Sequence, residues 1–330
     1  MVEGRWGSTF AAGLLILVAT LAARPVRAYC RTTTCSATSC PPRECVQDGA
    51  TDPECAWKCP PARCLAMDDN GCLTKGIPLF WGQRCLSFSV ESTGSPALGL
   101  GYADLVPVVE NAFALWPQAA CGGGMPAIAV ISLGGLTCDV PEYNGTGPNA
   151  NGVIFQDESW PYGQEVIGLT KVAFNTKTGE IRGADMQINT LDYAGEFTPE
   201  GLSYTIAHES GHFFGLAHSR ELGALMYFQS SAATTVPPAL TADDIAGICT
   251  IYPPSSSTAS SGPMCDADPR AGRFEPAKGF APDCGGDVTA ACALAPGTFV
   301  GNAPSMALVA VAITVAAGRR RSGRRRSSRS

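Results

Sequence analysis

All three histidines of this 330-residue chain fall within eleven consecutive positions, His208-Glu209-Ser210-Gly211-His212-Phe213-Phe214-Gly215-Leu216-Ala217-His218. On a helix, His208 and His212 lie one turn apart on the same face, so both imidazoles can reach one ion. Glu209 follows the first ligand and stands near the ion without having to bind it. That is where a base is needed to take a proton from a metal-bound water. Gly215 allows the chain to leave the helix at positive φ, and the turn brings His218 back as a third ligand. Three protein ligands leave the fourth position of a tetrahedral zinc open, the arrangement of a catalytic rather than a closed structural site. At average composition, chance produces this eleven-residue pattern in a chain of this length on the order of once in a hundred thousand.

A helix must carry these residues. Thr198-Pro199-Glu200 supplies its start, a capping hydroxyl followed by proline in the first turn, and it should run to about Gly215. Upstream, Pro78–Trp81, Cys85–Val90, Ala127–Leu133 and Gly152–Phe155 have strand character. Val166–Phe174 and Ile181–Ile188 form two further β-like runs joined by a turn-rich Asn175–Gly179. Ala103–Trp116 places Leu105, Val108, Val109, Ala112, Phe113 and Trp116 at amphipathic-helix spacing before Pro117. A last helix starts at Thr241, where Asp244 completes a capping-box pattern, and ends before Pro253-Pro254. Strands and helices without strict βαβ alternation indicate an α+β architecture.

Around this domain the chain changes character. Residues 1–28 read as an export signal: Arg5, an apolar run from Phe10 to Ala23, then Val26-Arg27-Ala28 as a cleavage site before Tyr29. All fifteen cysteines follow that site. With an export signal, this number implies an oxidising compartment and several disulfides, and an odd count leaves at least one thiol outside an intrachain pair. Residues 29–75 form a Cys-dense segment with few large apolar residues, where disulfides must substitute for a core. Cys85, Cys121, Cys138 and Cys249 are expected to form two bridges within the domain. Residues 254–302 are a Ser/Pro-rich linker and a Cys-containing tail. Residues 303–330 hold a short apolar stretch followed by an arginine cluster. The last twelve residues hold seven arginines and no acid, so the formal net charge of −6 leaves −13 on everything before them. An acidic body excludes nucleic acid as its partner, because phosphate binding needs a positive surface.

The zinc motif resembles that of the metzincin metallopeptidases, and within them the matrixin (matrix-metalloproteinase-like) branch. Ala224-Leu225-Met226-Tyr227 resembles the family's Met-turn, which places Met226 beneath the histidines as a structural base. Leu240–Ile248 with Ile251-Tyr252 resembles its closing helix, Gly183–Ile188 its pre-helix strand, and Ala112–Trp116 the end of its first helix. The likeness covers residues 76–253. It implies a twisted, mostly parallel five-stranded sheet with three helices, preceded by the Cys-rich, disulfide-stapled segment. Its one antiparallel edge strand would be Val166–Phe174, along which an extended substrate would add main-chain hydrogen bonds. The apolar segment and arginine cluster resemble bacterial C-terminal sorting tails, which implies membrane anchoring through residues 303–330.

The resemblance implies an exported zinc-dependent endopeptidase acting on protein or peptide substrates at the cell surface or outside it. His208, His212 and His218 would be the metal ligands and Glu209 the general base. One Zn²⁺ is expected, because no histidine remains for the second, structural zinc of animal matrixins. Ca²⁺, common in the family, would draw on Asp157, Asp185 or Asp192. Phe228 stands where the family usually has proline, which alters the specificity pocket's wall. The competing reading is a non-catalytic adhesion or binding module on the same scaffold; a narrow maturation role at the same site is a third. Asn144-Gly145-Thr146 is formally a glycosylation sequon.

Matrixin proforms are blocked by a cysteine on zinc within a Pro-Arg-Cys motif, which Pro42-Arg43-Glu44-Cys45 resembles with one residue inserted. A disulfide is the expected state of Cys45 in so cysteine-dense a segment. Alkylation of the unprocessed protein should therefore find Cys45 fully oxidised, and a free Cys45 thiol that reacts only after metal removal would establish the switch instead.

Overall fold

The computed structural model describes residues 29–35, 66–143, 149–254, 265 and 306–314. The expected signal segment, the Cys45 motif, the sequon and the arginine cluster lie outside the described residues.

The elements, in chain order, are β1 (Cys30–Arg31), β2 (Phe80–Trp81), β3 (Cys85–Glu91), α1 (Tyr102–Ala114), β4 (Ala129–Leu136), β5 (Gly152–Phe155), β6 (Val166–Asn175), β7 (Glu180–Ile188), α2 (Thr190–Tyr193), α3 (Pro199–Phe213), β8 (Leu216–Ala217), α4 (Ala242–Ile251) and β9 (Met306–Thr314). The main sheet runs β4-β3-β5-β7-β6-β9, with β2 also pairing with β7. The β3–β4, β3–β5, β5–β7 and β2–β7 pairs are parallel, whereas β6 is antiparallel to β7. This is the expected α+β architecture, a mostly parallel sheet with three helices beyond the single turn of α2.

Aromatic packing ties the helices to the sheet. Phe113 of α1 stacks on Phe88 of β3 at 4.3 Å and meets Phe213 of α3 edge-on at 5.1 Å. All three rings are buried, so α1 and α3 share one core face of the sheet. Asn151, at φ 48°, enters β5 in the left-handed region. Its side chain donates to Ser87 O of β3 and accepts from Ala184 N of β7, which ties the strands flanking β5 together.

The starts of α3 and α4 form as their capping residues require. The Thr198 hydroxyl accepts from Gly201 N at 2.9 Å, with Pro199 in the first turn of α3. At α4, Thr241 and Asp244 complete a reciprocal capping box.

Three expectations need correction. First, Cys121 does pair with Cys249, but Cys85 pairs with Cys265 rather than within the expected set of four. Disulfide pairing follows proximity in space: Cys85 opens β3, and Cys265, 180 residues later, lies against it. Second, β6 is not the sheet edge, because β9 pairs antiparallel along it. Third, the apolar stretch expected to hold the chain at a membrane enters the sheet over residues 306–314. Its alternation of valine and isoleucine with small residues suits an extended, paired strand. Among the described residues no helix is long and apolar enough to cross a membrane.

The start of the Cys-rich segment is built into the domain. Strand β1 pairs antiparallel with β8, Cys30 bonds to Cys72, and Thr32 N donates to Gly215 O.

Candidate metal centre

Helix α3 delivers His208, Glu209 and His212, all fully buried. Its C-terminal carbonyls would otherwise be orphaned. Trp81 Nε1 donates to Phe213 O at 2.7 Å, and the Tyr252 hydroxyl donates to Phe214 O at 2.9 Å. Trp116 Nε1 donates to Ala207 O and to the Ser210 hydroxyl one turn earlier. The helix is therefore gripped along the stretch that carries the ligand positions.

Gly215, at φ 97°, lets the chain leave α3 and double back, which L side chains rarely permit. A Cβ there would stand 2.9 Å from Leu79 O, so the close approach of β2's approach strand also requires glycine. The turn passes through β8 and places half-buried His218 opposite His212.

His208 Nε2 lies 3.2 Å from His212 Nε2, which lies 3.2 Å from His218 Nε2. One ligand atom from each residue falls within 4.8 Å of the others, the one such group of three among the described residues. His208 Nδ1 is 2.6 Å from Leu225 O and His212 Nδ1 is 2.8 Å from Leu216 O. A carbonyl only accepts, so those Nδ1 atoms carry the protons and their Nε2 atoms present lone pairs. Two lone pairs 3.2 Å apart form no hydrogen bond between them; a cation between them resolves the contact. Tetrahedral zinc with Zn–N of about 2.0–2.1 Å spaces its nitrogens about 3.3–3.4 Å apart, so the donor set fits a zinc-sized ion.

Burial, reinforced by neighbouring His218, lowers the His208 pKa to about 3. Burial lowers His218 to about 4 and, with both neighbouring rings, holds His212 well below its ordinary value. All three rings stay neutral, the form that ligates a metal. Burial pushes Glu209 the other way, well above the ordinary carboxyl range, opposed by a hydrogen bond from Thr170. A nearby cation would restore its charged form.

The Thr170 hydroxyl of β6 donates to Glu209 Oε2 at 2.6 Å. Glu209 Oε1 is buried with no hydrogen-bond partner among the described residues. Gly168 makes room for this carboxylate, since a Cβ there would lie 3.1 Å from Oε1. Neither Thr170 nor Gly168 stood out in the sequence. A strand of small and β-branched residues carries no local sign of what crosses its face.

Met226 is buried under α3, and a Cβ on Gly211 would come within 2.3 Å of its Sδ. Its turn is held by one carboxylate. Asp244 Oδ1 accepts from Met226 N at 3.0 Å, and Oδ2 accepts from Leu225 N at 2.8 Å while also capping α4 through Thr241. Leu225 O is the acceptor for His208, so Asp244 reaches the first ring through one residue. Asp243 steadies the His218 loop: its Oδ2 accepts from the Ser219 hydroxyl and its Oδ1 from Tyr29 N, at 2.7 and 2.8 Å. Phe228 is partly exposed, its ring 4.6 Å from that of Tyr227.

The three aspartates considered for calcium take protein partners. Asp157 accepts from Ser95, Ala97 N and Thr190; Asp185 accepts from Gly152 N and Glu142 N; Asp192 accepts from Asn189. None joins a metal-ligating group of three among the described residues.

The family model described as Matrixin matches residues 143–253, a span that contains the whole His/Glu constellation and the Met226 turn. The chain is similar to matrix metalloproteinase-C of Caenorhabditis elegans, 29% identical over 210 residues, which covers 61% of this chain and 34% of that protein. It is similar to interstitial collagenase of Oryctolagus cuniculus, 29% identical over 192 residues, 56% of this chain and 35% of that one. Neutrophil collagenase of Homo sapiens is 29% identical over 207 residues, 59% and 38% of the two chains. The chain thus spans about a third of the length of the relatives it matches. The fold, the matched span and these identities support a matrixin-type catalytic domain.

Two outcomes follow. Asp244→Ala should lower stability by about 3 kcal/mol, because it strands two buried amides and a helix cap, and should weaken zinc affinity tenfold or more. Asp244→Asn should restore part of both in thermal unfolding and metal titration. In the metal-free protein, NMR titration should show His218 protonating near pH 4 and His208 near pH 3. Their folded pKa values lie below the unfolded value of about 6.5. Their contribution to stability is therefore full above that pH and is lost as pH falls toward 4 and below.

Proposed function

We propose that this chain is an exported zinc-dependent endopeptidase. The observation that carries the reading is three neutral imidazoles converging on one point beside a buried carboxylate with one free oxygen. His208, His212 and His218 would hold the ion. Bound zinc would supply Lewis acidity toward the scissile carbonyl and toward an attacking water.

The chain's own groups do the rest. Thr170 holds Oε2 of Glu209 and leaves Oε1 without a partner, free to act as the base. Oε1 takes the proton of the attacking water, and the same carboxyl then gives it to the nitrogen of the leaving amine. Met226 and Asp244 position the rings and take no part in proton transfer.

Proteins or peptides are the substrates this chemistry serves, bound extended along β6. Disulfides Cys30–Cys72, Cys85–Cys265 and Cys121–Cys249 suit an oxidising compartment, as an exported protein would meet after cleavage before Tyr29. The adhesion-module alternative has no observation in its favour: degenerate scaffolds lose a ligand or the base, and all four residues are present here.

Glu209→Ala should keep zinc and lose about 10²–10⁴-fold in turnover of an unstructured protein substrate. A zinc chelator should abolish the wild-type activity, and zinc should restore it. Turnover that survives Glu209→Ala with zinc retained would assign the chemistry elsewhere.

A further inference from the structure

Without β9, strand β6 would be the bare edge of the sheet, a row of unpaired backbone donors and acceptors that invites an added strand. In this structure the row is taken. Strand β9 pairs antiparallel with it, matching Leu169 with Ala312, Thr170 with Val311, Lys171 with Ala310 and on to Asn175 with Met306. The ladder begins at Val166 opposite Thr314, shifts register before Leu169 and then passes Thr170, whose hydroxyl holds Glu209; Gly168, against which the Glu209 carboxylate lies, falls inside the shifted stretch. A peptide added to β6 near the base would need the same N–H and C=O groups that β9 uses. The two cannot bind at once.

From this overlap we propose that residues 306–314 are an autoinhibitory strap: the chain's own C-terminal strand blocks the substrate edge, and activity requires its release. The proposal rests on the zinc-endopeptidase reading for what is inhibited, but not for the occupancy of the edge. The strap belongs to the same chain, so its pairing with β6 is intramolecular and does not weaken on dilution. A competing strand raises apparent KM and spares kcat, because it lowers the fraction of molecules able to bind.

The test uses the full chain carrying Ala310→Pro together with Val311→Pro. Adjacent residues of an antiparallel strand aim their amides to opposite sides, so one of the two prolines must remove an N–H directed at β6. A fluorescent peptide with the sequence of residues 306–314 should bind this variant and bind wild type at least tenfold more weakly. On an unstructured protein substrate, the variant should show an apparent KM at least tenfold lower with kcat unchanged. The unlabelled peptide should raise that KM competitively. Equal peptide binding by the two proteins, or equal KM, overturns the strap. If the variant binds the peptide and retains zinc but turns over no substrate, the strap stands and the peptidase reading fails.

Discussion

Two hydrogen bonds decide what the centre of this molecule can be. Leu225 O and Leu216 O hold the Nδ1 protons of His208 and His212, so both rings must turn bare Nε2 lone pairs toward each other at 3.2 Å. In a buried site that contact is repulsive and lacks water to relieve it. The fold nonetheless enforces it from several sides. Trp81, Trp116 and Tyr252 clamp the backbone of α3, Gly215 reverses the chain, and Asp244 fixes the turn that supplies Leu225 O. Such convergent support for an unfavourable arrangement makes sense when a cation occupies the point of convergence.

The same constraint explains the state of Glu209. A fully buried carboxyl is driven toward its neutral form, whereas the base proposed here would have to be charged. A divalent ion held by the three rings would supply what burial removes. Thr170 satisfies one oxygen and leaves the other free, so the carboxylate is oriented without being consumed. Strand β6 thus has two contacts of consequence: its side-chain face holds Glu209 through Thr170, and its backbone edge pairs with β9.

What the sequence disclosed and what it withheld divide along a physical line. His208, Glu209, His212 and Gly215 could be placed because helix periodicity and the left-handed exit act within one or two turns. The Thr198 and Thr241 caps were legible for the same reason, since each satisfies its own neighbours. Thr170, Gly168 and the second role of Asp244 were not, because each depends on a contact between elements distant in sequence. Asp244 shows the limit well: its capping role reads from Thr241 three residues earlier, while its grip on Leu225 and Met226 needs the tertiary fold. Cys85 pairs outside the expected set because disulfide pairing follows proximity in space, here between residues 180 positions apart. The apolar run at 306–314 was ambiguous in principle, since a short stretch of valine, isoleucine and alanine satisfies a membrane or a sheet edge equally well.

The Cys85–Cys265 bond bears on how β9 is held. It anchors the chain at the start of β3, so the tether to Met306 is shorter from Cys265 than from the end of α4 at Ile251. Loop closure, however, depends only logarithmically on length, and doubling a tether costs about 0.6 kcal/mol. Reduction would lengthen this tether by less than a doubling, so the disulfide adds little to the hold of β9 on β6. The grip must reside in the strand ladder itself. Breaking the Cys85–Cys265 bond is therefore an ineffective release, whereas cutting the chain before Met306 makes the pairing intermolecular and leaves a short strand to dissociate by dilution.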